Sequence, residues 1–344
     1  MSRKLKPEPK LSAAKRQPPR WQRERNITLI IWVIFSLAIV LVLGLVGYWS
    51  YDNYFGVWHK PVAKIQYADG NETTLSMDYF VKMLRLYTIS SQQTEFDTTT
   101  FPYQVLQELE DGELVNYEVP KLGIQVTPEE VTEEINGYVV ALANMGGNET
   151  QGNVTHSQAE LDKLYQDWLV TIRLSDSEYR RAVAITMLRA KLDDYFMAQV
   201  PAETEQVHVH AIMLDTEDEA NNVLVRLSNG EDFAALASEL SKEEQSQIYG
   251  GDLGWVPRGI LDSSIDEVAF NLAIGNVSQP IVTSKGYFIV KVSDKAESMA
   301  IPDEYKDMLT TNAANKWLKE QRDASLIEEY LNQDKVNWAV ERIQ

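Results

Sequence analysis

The sequence predicts an α+β protein tethered to a membrane by a single N-terminal transmembrane helix. Three features carry that expectation. No charge occurs between Arg25 and Asp52. Helical capping signals and apolar periodicity dominate from about residue 74 to 200 and return after Pro302. The stretch between them, residues 206–295, switches to β-branched runs punctuated by glycine.

Residues 27–48 are almost wholly apolar, and a spanning helix needs about 20 such residues. A cleaved signal peptide would carry a shorter apolar core, ~7–15 residues, followed by a small-x-small site. Tyr48, Trp49, Tyr51, Tyr54 and Phe55 follow instead, as an interfacial aromatic belt does. Residues 1–26 hold nine Lys/Arg and two Glu, a net +7. That orients this basic tail to the cytoplasm and leaves the body outside from about Asp52. The whole chain carries −19, so the residues beyond 26 carry −26. An acidic body repels nucleic acid, which excludes that class of partner. There is no cysteine, which excludes disulfides, thiolate nucleophiles, Cys-ligated zinc and a lipidated-cysteine anchor.

In chain order, Val62 to Ile65 reads as a short strand, Asp69-Gly70 as a turn, and Thr74 to Phe80 as a helix start. Thr127-Pro128-Glu129-Glu130 is a capping box with proline at the first helical position, and Ser175-Asp176-Ser177-Glu178 is another. The helix opened by Ser175 places Tyr179, Val183, Met187, Leu188, Leu192 and Phe196 on one face. Residues 145–152 are Gly/Asn-rich and read as a loop. Val207 to Leu214 is a β run, Thr216 to Glu219 caps a helix, and Asn229-Gly230 ends it. A second helix covers 233–240 and a third starts at Ser263 or Ser264. Strands follow at Ile281 and Gly286. The expected order in this segment is β-α-α-α-β-β. One further helix after Pro302 aligns Tyr305, Leu309, Ala313, Trp317, Ala324, Ile327 and Leu331.

The run Asn229-Gly230-Glu231-Asp232-Phe233, with Ser241, Gly250-Gly251-Asp252-Leu253-Gly254-Trp255, Ala269-Phe270, Gly275 to Pro280 and Gly286-Tyr287, resembles the parvulin (PpiC-type) peptidyl-prolyl isomerase family. The flanks, Val105 to Leu109 leading to Leu122 to Thr127 and the Trp317 helix, resemble a SurA-like chaperone arrangement. The resemblance implies a helical chaperone-like domain at 55–200 and an inserted parvulin domain at 206–295. It also implies a C-terminal helix at 301–344 that packs back on the helical domain.

The resemblance also implies a site of two facing histidines, an acidic or thiol group and an apolar proline pocket. The histidine positions fall on Ala211 and Phe288, the acidic position on Glu243, the pocket positions on Leu261 and Ile265, and the linking threonine on Thr283. Both imidazoles are therefore replaced. His210 is one residue from Ala211 and strand alternation turns it to the other face beside His208. That pair shares a face with no third ligand in view, so no metal site is expected. The loop Asp215 to Glu219 is acidic, which the resemblance reads against phosphopeptide clients. The implied function is an extracytoplasmic foldase of the peptidyl-prolyl isomerase class. Its partners are unfolded or nascent exported polypeptides, with no small-molecule cofactor. The competing readings are a non-catalytic holdase with a degenerate parvulin domain and a structural subunit of an envelope complex.

Overall fold

The computed structural model describes residues 37–48, 56–90, 97–145 and 157–343. It divides into two units, Met1–Pro61 with Ser76–Asp78, and Val62–Leu75 with Tyr79–Gln344. In the first, residues 37–48 form α1, with every residue exposed. A short 3-10 turn, Gly56–His59, follows, and Met77 N–H donates to Lys60 O at 2.9 Å. The basic tail 1–26 and residues 27–36 of the expected span lie outside the described residues, as does the loop beyond Met145. Among the described residues no helix is long and apolar enough to cross a membrane.

In the second unit, β1 (Pro61–Gln66), β2 (Glu72–Ser76) and β7 (Leu326–Glu329) form a three-stranded sheet in the order β2-β1-β7. Ile65 and Tyr67 pack from it onto Leu114, with Leu318 and Ile327 alongside. Where the sequence predicts a helix start over 74–80, the backbone stays extended to Ser76 before α2 (Met77–Ser90) begins. The single helix expected after Pro302 is also divided. The helix α11 stops at Ala324, β7 pairs antiparallel with β1, and α12 (Gln333–Ile343) closes the chain. Leu326-Ile327-Glu328-Glu329 carries no strand alternation of its own; pairing with β1 decides its conformation, as tertiary context overrides propensity.

Helices α3 (Phe101–Glu118), α4 (Pro128–Met145), α5 (Gln158–Ile172) and α6 (Asp176–Met197) make the helical layer. Their starts follow from local chemistry. Thr127 and Glu130 exchange backbone N–H bonds at 3.2 and 2.8 Å, and Ser175 with Glu178 forms the same box. Tyr179, Leu188 and Leu192 of the expected stripe are buried. The helix α11 (Asp303–Ala324) lies on α3 and α6, with Trp317 and Leu318 against Val115, Val119, Leu188 and Leu192. An ionic clamp fixes it. Arg322 reaches Glu110 and Asp111 of α3, each at 2.9 Å, and Glu110 is fully buried.

The remaining segment is a four-stranded antiparallel sheet in the order β4-β3-β6-β5. Its strands are β3 (Glu203–Leu214), β4 (Asp252–Pro257), β5 (Ile281–Thr283) and β6 (Gly286–Ala300). Helix α10 (Ser263–Asn271) covers one face, and α7 (Glu217–Ser228) with α8 (Phe233–Leu240) the other. With α9 (Glu244–Ile248), the order is β-α-α-α-β-α-β-β, a correction to the six elements expected. The missed strand β4 is a glycine-bearing edge strand that ends at Pro257, and glycine and proline weaken the strand signal.

Candidate functional site

Strand alternation sorts β3 into two faces. Val207, Val209 and Ala211 point to α10; Ile212 and Leu214 point to α7 and α8. Ala211, Ile265 and Phe288 are all buried in one cluster with Val209, Phe270 and Ile281, and Leu261 packs against it half-buried. Ala211 is opposite Val290 in the ladder and Phe288 opposite Met213, so the two are diagonal neighbours. The space between them is filled by carbon rather than by ring nitrogens. Thr283 does not turn its hydroxyl to this cluster. It donates to Gly286 O at 3.0 Å and accepts from Lys285 N–H at 3.2 Å, closing the β5–β6 turn. Glu243 is half-buried just before α9, and its carbonyl accepts from Gln247 N–H.

The glycine pair has a local purpose. Ala211 N–H donates to Gly251 O at 2.8 Å, and Ser246 Oγ–H donates to Ala211 O. Gly251 sits at φ +84°, and a Cβ there would meet Ala211 O at 2.9 Å. Only glycine lets the backbone come this close to β3.

On the opposite face His208 and His210 stand side by side, ring centroids 5.2 Å apart. Two further residues complete this group. Asp252 of β4 and Ser293 of β6 face both rings. Burial pushes the His210 imidazole below its usual value, against the pull of Asp252. The Gly-Gly-Asp motif named Asp252; its meeting with the histidines depends on the β3–β4 register, shifted between Val209 and His210.

A second feature had no sequence signal beyond scattered aromatics. A cavity of about 780 Å³ opens among α2, α3, α4, α5 and α6. Tyr79, Met83, Tyr87, Tyr138, Trp168 and Tyr179 line it. Its aromatics touch one another, Tyr138 to Trp168 at 5.5 Å and Trp168 to Tyr179 at 6.5 Å. Glu108 and Arg189, paired at 2.9 Å, add charge to its wall.

The sheet flanked by helices on both faces, with the Gly-Gly turn feeding its edge strand, lies within residues 196–296, which match the PPIC-type PPIASE domain. The chain belongs to the family with a SurA-like N-terminal domain, which matches residues 20–193. Among curated proteins, a foldase protein PrsA of Caldanaerobacter subterraneus subsp. tengcongensis is 30% identical over 231 residues, covering 64% of this chain and 66% of that one. A periplasmic chaperone PpiD of Haemophilus ducreyi is 37% identical over 127 residues, covering 37% of this chain and 19% of that one. A solved structure of a peptidylprolyl isomerase (PrsA) from Bacillus anthracis aligns with TM-score 0.42 and 18% identity, over 69% of this chain and 96% of that one.

Proposed function

We propose that this chain is an extracytoplasmic foldase of the parvulin, peptidyl-prolyl cis-trans isomerase class. It is anchored by residues 27–48 with its N-terminus in the cytoplasm, and it assists exported proteins as they fold. The observation that carries this reading is the apolar cluster of Ala211, Leu261, Ile265 and Phe288 at the positions matched to the family's proline site. An X-Pro bond must cross about 18–20 kcal/mol to change isomer. A site accelerates this by holding the proline ring and favouring the twisted amide over the planar one. Leu261, Ile265 and Phe288 supply apolar carbon for the ring. Glu243 and Thr283 are the polar groups at matched positions, and neither retains an imidazole to work with. Unfolded chain binds at the aromatic cavity of the helical layer, whose rings offer large apolar area at small entropic cost.

The exchange of both imidazoles favours a second reading, a holdase chaperone with little catalysis. One pair of assays on the detergent-purified full chain separates the two: proline-limited refolding, and suppression of aggregation of an unfolded client. We expect strong suppression with weak isomerisation. Trp168→Ala is expected to weaken suppression and leave isomerisation unchanged. Failure of both assays would refute the foldase reading.

A further inference from the structure

The face of the sheet away from the proline site carries a donor set with no part in isomerisation. His208 and His210 alternate on β3, so both rings project to one side. Ser293 Oγ lies 2.8 Å from His208 Nδ1 and 3.1 Å from His210 Nε2, and donates its own hydrogen to His208 O at 3.3 Å. A hydroxyl has one hydrogen and two lone pairs. When that hydrogen goes to the carbonyl, both imidazoles donate to Ser293, and in this pair of tautomers His208 Nε2 and His210 Nδ1 carry lone pairs. Those two nitrogens face Asp252 Oδ1 at 3.7 and 3.9 Å. In those tautomers two nitrogen lone pairs and a carboxylate oxygen converge, an arrangement that a cation stabilises.

We propose that His208, His210 and Asp252 bind a divalent transition-metal ion of the zinc type, with Ser293 positioning both imidazoles from behind. The donor atoms all lie within 4.8 Å of one another. A tetrahedral ion with ligands at about 2.0–2.1 Å needs them roughly 3.4 Å apart, so modest side-chain rotation closes the set. Two imidazoles with one carboxylate suit zinc and its first-row neighbours rather than magnesium or calcium. The outer shell is in place: Ser293 on the far nitrogens, and Gly254 N–H donating to Asp252 Oδ1 at 2.8 Å. Trp255 packs edge-on against His208 and Phe233 against His210. The ligands stand on adjacent strands β3 and β4, so the ion would cross-link an edge strand to the sheet. Asp252 is 45% exposed, which leaves an entry path and room for water as a fourth ligand. The Lys291 ammonium acts on His210 and opposes the ion, so the site is weaker than a closed structural zinc centre.

The test is calorimetric titration of zinc chloride into chelator-treated full chain, purified in detergent without a histidine tag, near neutral pH. The chain has four histidines, so ring-nitrogen NMR resolves the ligands. We expect one saturable equivalent, shifts at His208 Nε2 and His210 Nδ1, and a zinc-dependent rise in unfolding temperature. Ser293→Ala should weaken binding about 10–100-fold. Asp252→Asn, at an exposed side chain, should weaken it more while leaving the metal-free unfolding transition in place. Absence of a saturable equivalent in the unaltered chain overturns the proposal. So does zinc binding that survives in the doubly substituted His208→Gln/His210→Gln chain.

Discussion

Restoring the two missing imidazoles tests the proline-site reading most directly. Ala211 is 1% exposed and Phe288 7% exposed, so both positions are closed to water. As diagonal neighbours on one sheet face they are about 7–8 Å apart, with the Cβ atoms somewhat closer, within reach of two ring side chains. Ala211→His alone forces a ring against Phe288. Overpacking costs about 1–3 kcal/mol, and the buried ring nitrogens, lacking partners, cost about 1–3 more. Phe288→His alone removes ring volume opposite a methyl group and also buries an unpaired nitrogen. Made together, the smaller ring at 288 gives room to the new ring at 211, and the two nitrogens can share a hydrogen bond. The double variant should therefore be less destabilised than the sum of the singles, by about 0.5–3 kcal/mol. A positioned acid–base group contributes ~10²–10⁴-fold to a rate, so proline-limited refolding should accelerate in the double variant and in neither single one. Denaturant unfolding gives the coupling, and the refolding assay gives the rate. Strictly additive destabilisation with no gain in rate would show that 211 and 288 do not form one site. Robust activity in the unaltered chain, untouched by Leu261→Ala, would show the same.

Other perturbations read the scaffold. Arg322→Ala strands the buried Glu110 and its neighbour Asp111 and should lower stability in denaturant unfolding, by less than the ~3–5 kcal/mol of a fully charged buried pair because Glu110 can take up a proton. Glu110 is pushed up to about 7, chiefly by burial and against the pull of Arg322. The folded chain then holds that proton more tightly than the unfolded chain does. Glu110's contribution is therefore full below about pH 4.5 and is lost as pH rises to about 7. The unfolding midpoint should fall across that window, and Glu110→Gln should flatten the fall. Gly251→Ala should destabilise by about 1–2 kcal/mol from left-handed strain alone, with more from the contact on Ala211 O; an unchanged midpoint would refute the close-approach argument.

Local chemistry made part of this architecture legible. The capping boxes at Thr127, Ser175 and Thr216 each close as written, because Ser/Thr and Glu three apart satisfy orphan N–H groups without tertiary help. Gly230 ends α7 at φ +90°, as its left-handed role requires. What escaped was decided by distant pairing. Leu326 to Glu329 extends only because β1, some 260 residues earlier in register, offers its edge. The fully buried Glu110 reads as a surface helix charge until Arg322 arrives from the other end of the chain. The aromatics of the large cavity come from α2, α4, α5 and α6, and no spacing within one helix brings them together.

Strand β3 explains why the histidines present cannot replace those missing. A one-residue slip would bring His210 to the position of Ala211. It would also turn Val207 and Val209, both fully buried, out of the α10 cluster, and exchange Ile212 and Leu214 from the α8 side. At about 1.5–3 kcal/mol per buried aliphatic side chain, that cost exceeds any hydrogen bond an imidazole could gain, about 0.5–1.5 kcal/mol. The register is pinned further by Ala211 N–H on Gly251 O and by Ser246 on Ala211 O. The ladder takes up its irregularities at 204–206 and 208–210, before this pinned point, and the two imidazoles remain together on the Ser293 side. The strand therefore separates two kinds of chemistry by one residue: an apolar face at 207, 209 and 211 suited to a proline ring, and a nitrogen-bearing face at 208 and 210 suited to a cation. Chemistry on the second face reaches the first only through the rigidity of the strand they share, so loss of His208 or His210 should leave proline-limited refolding unchanged while abolishing zinc binding.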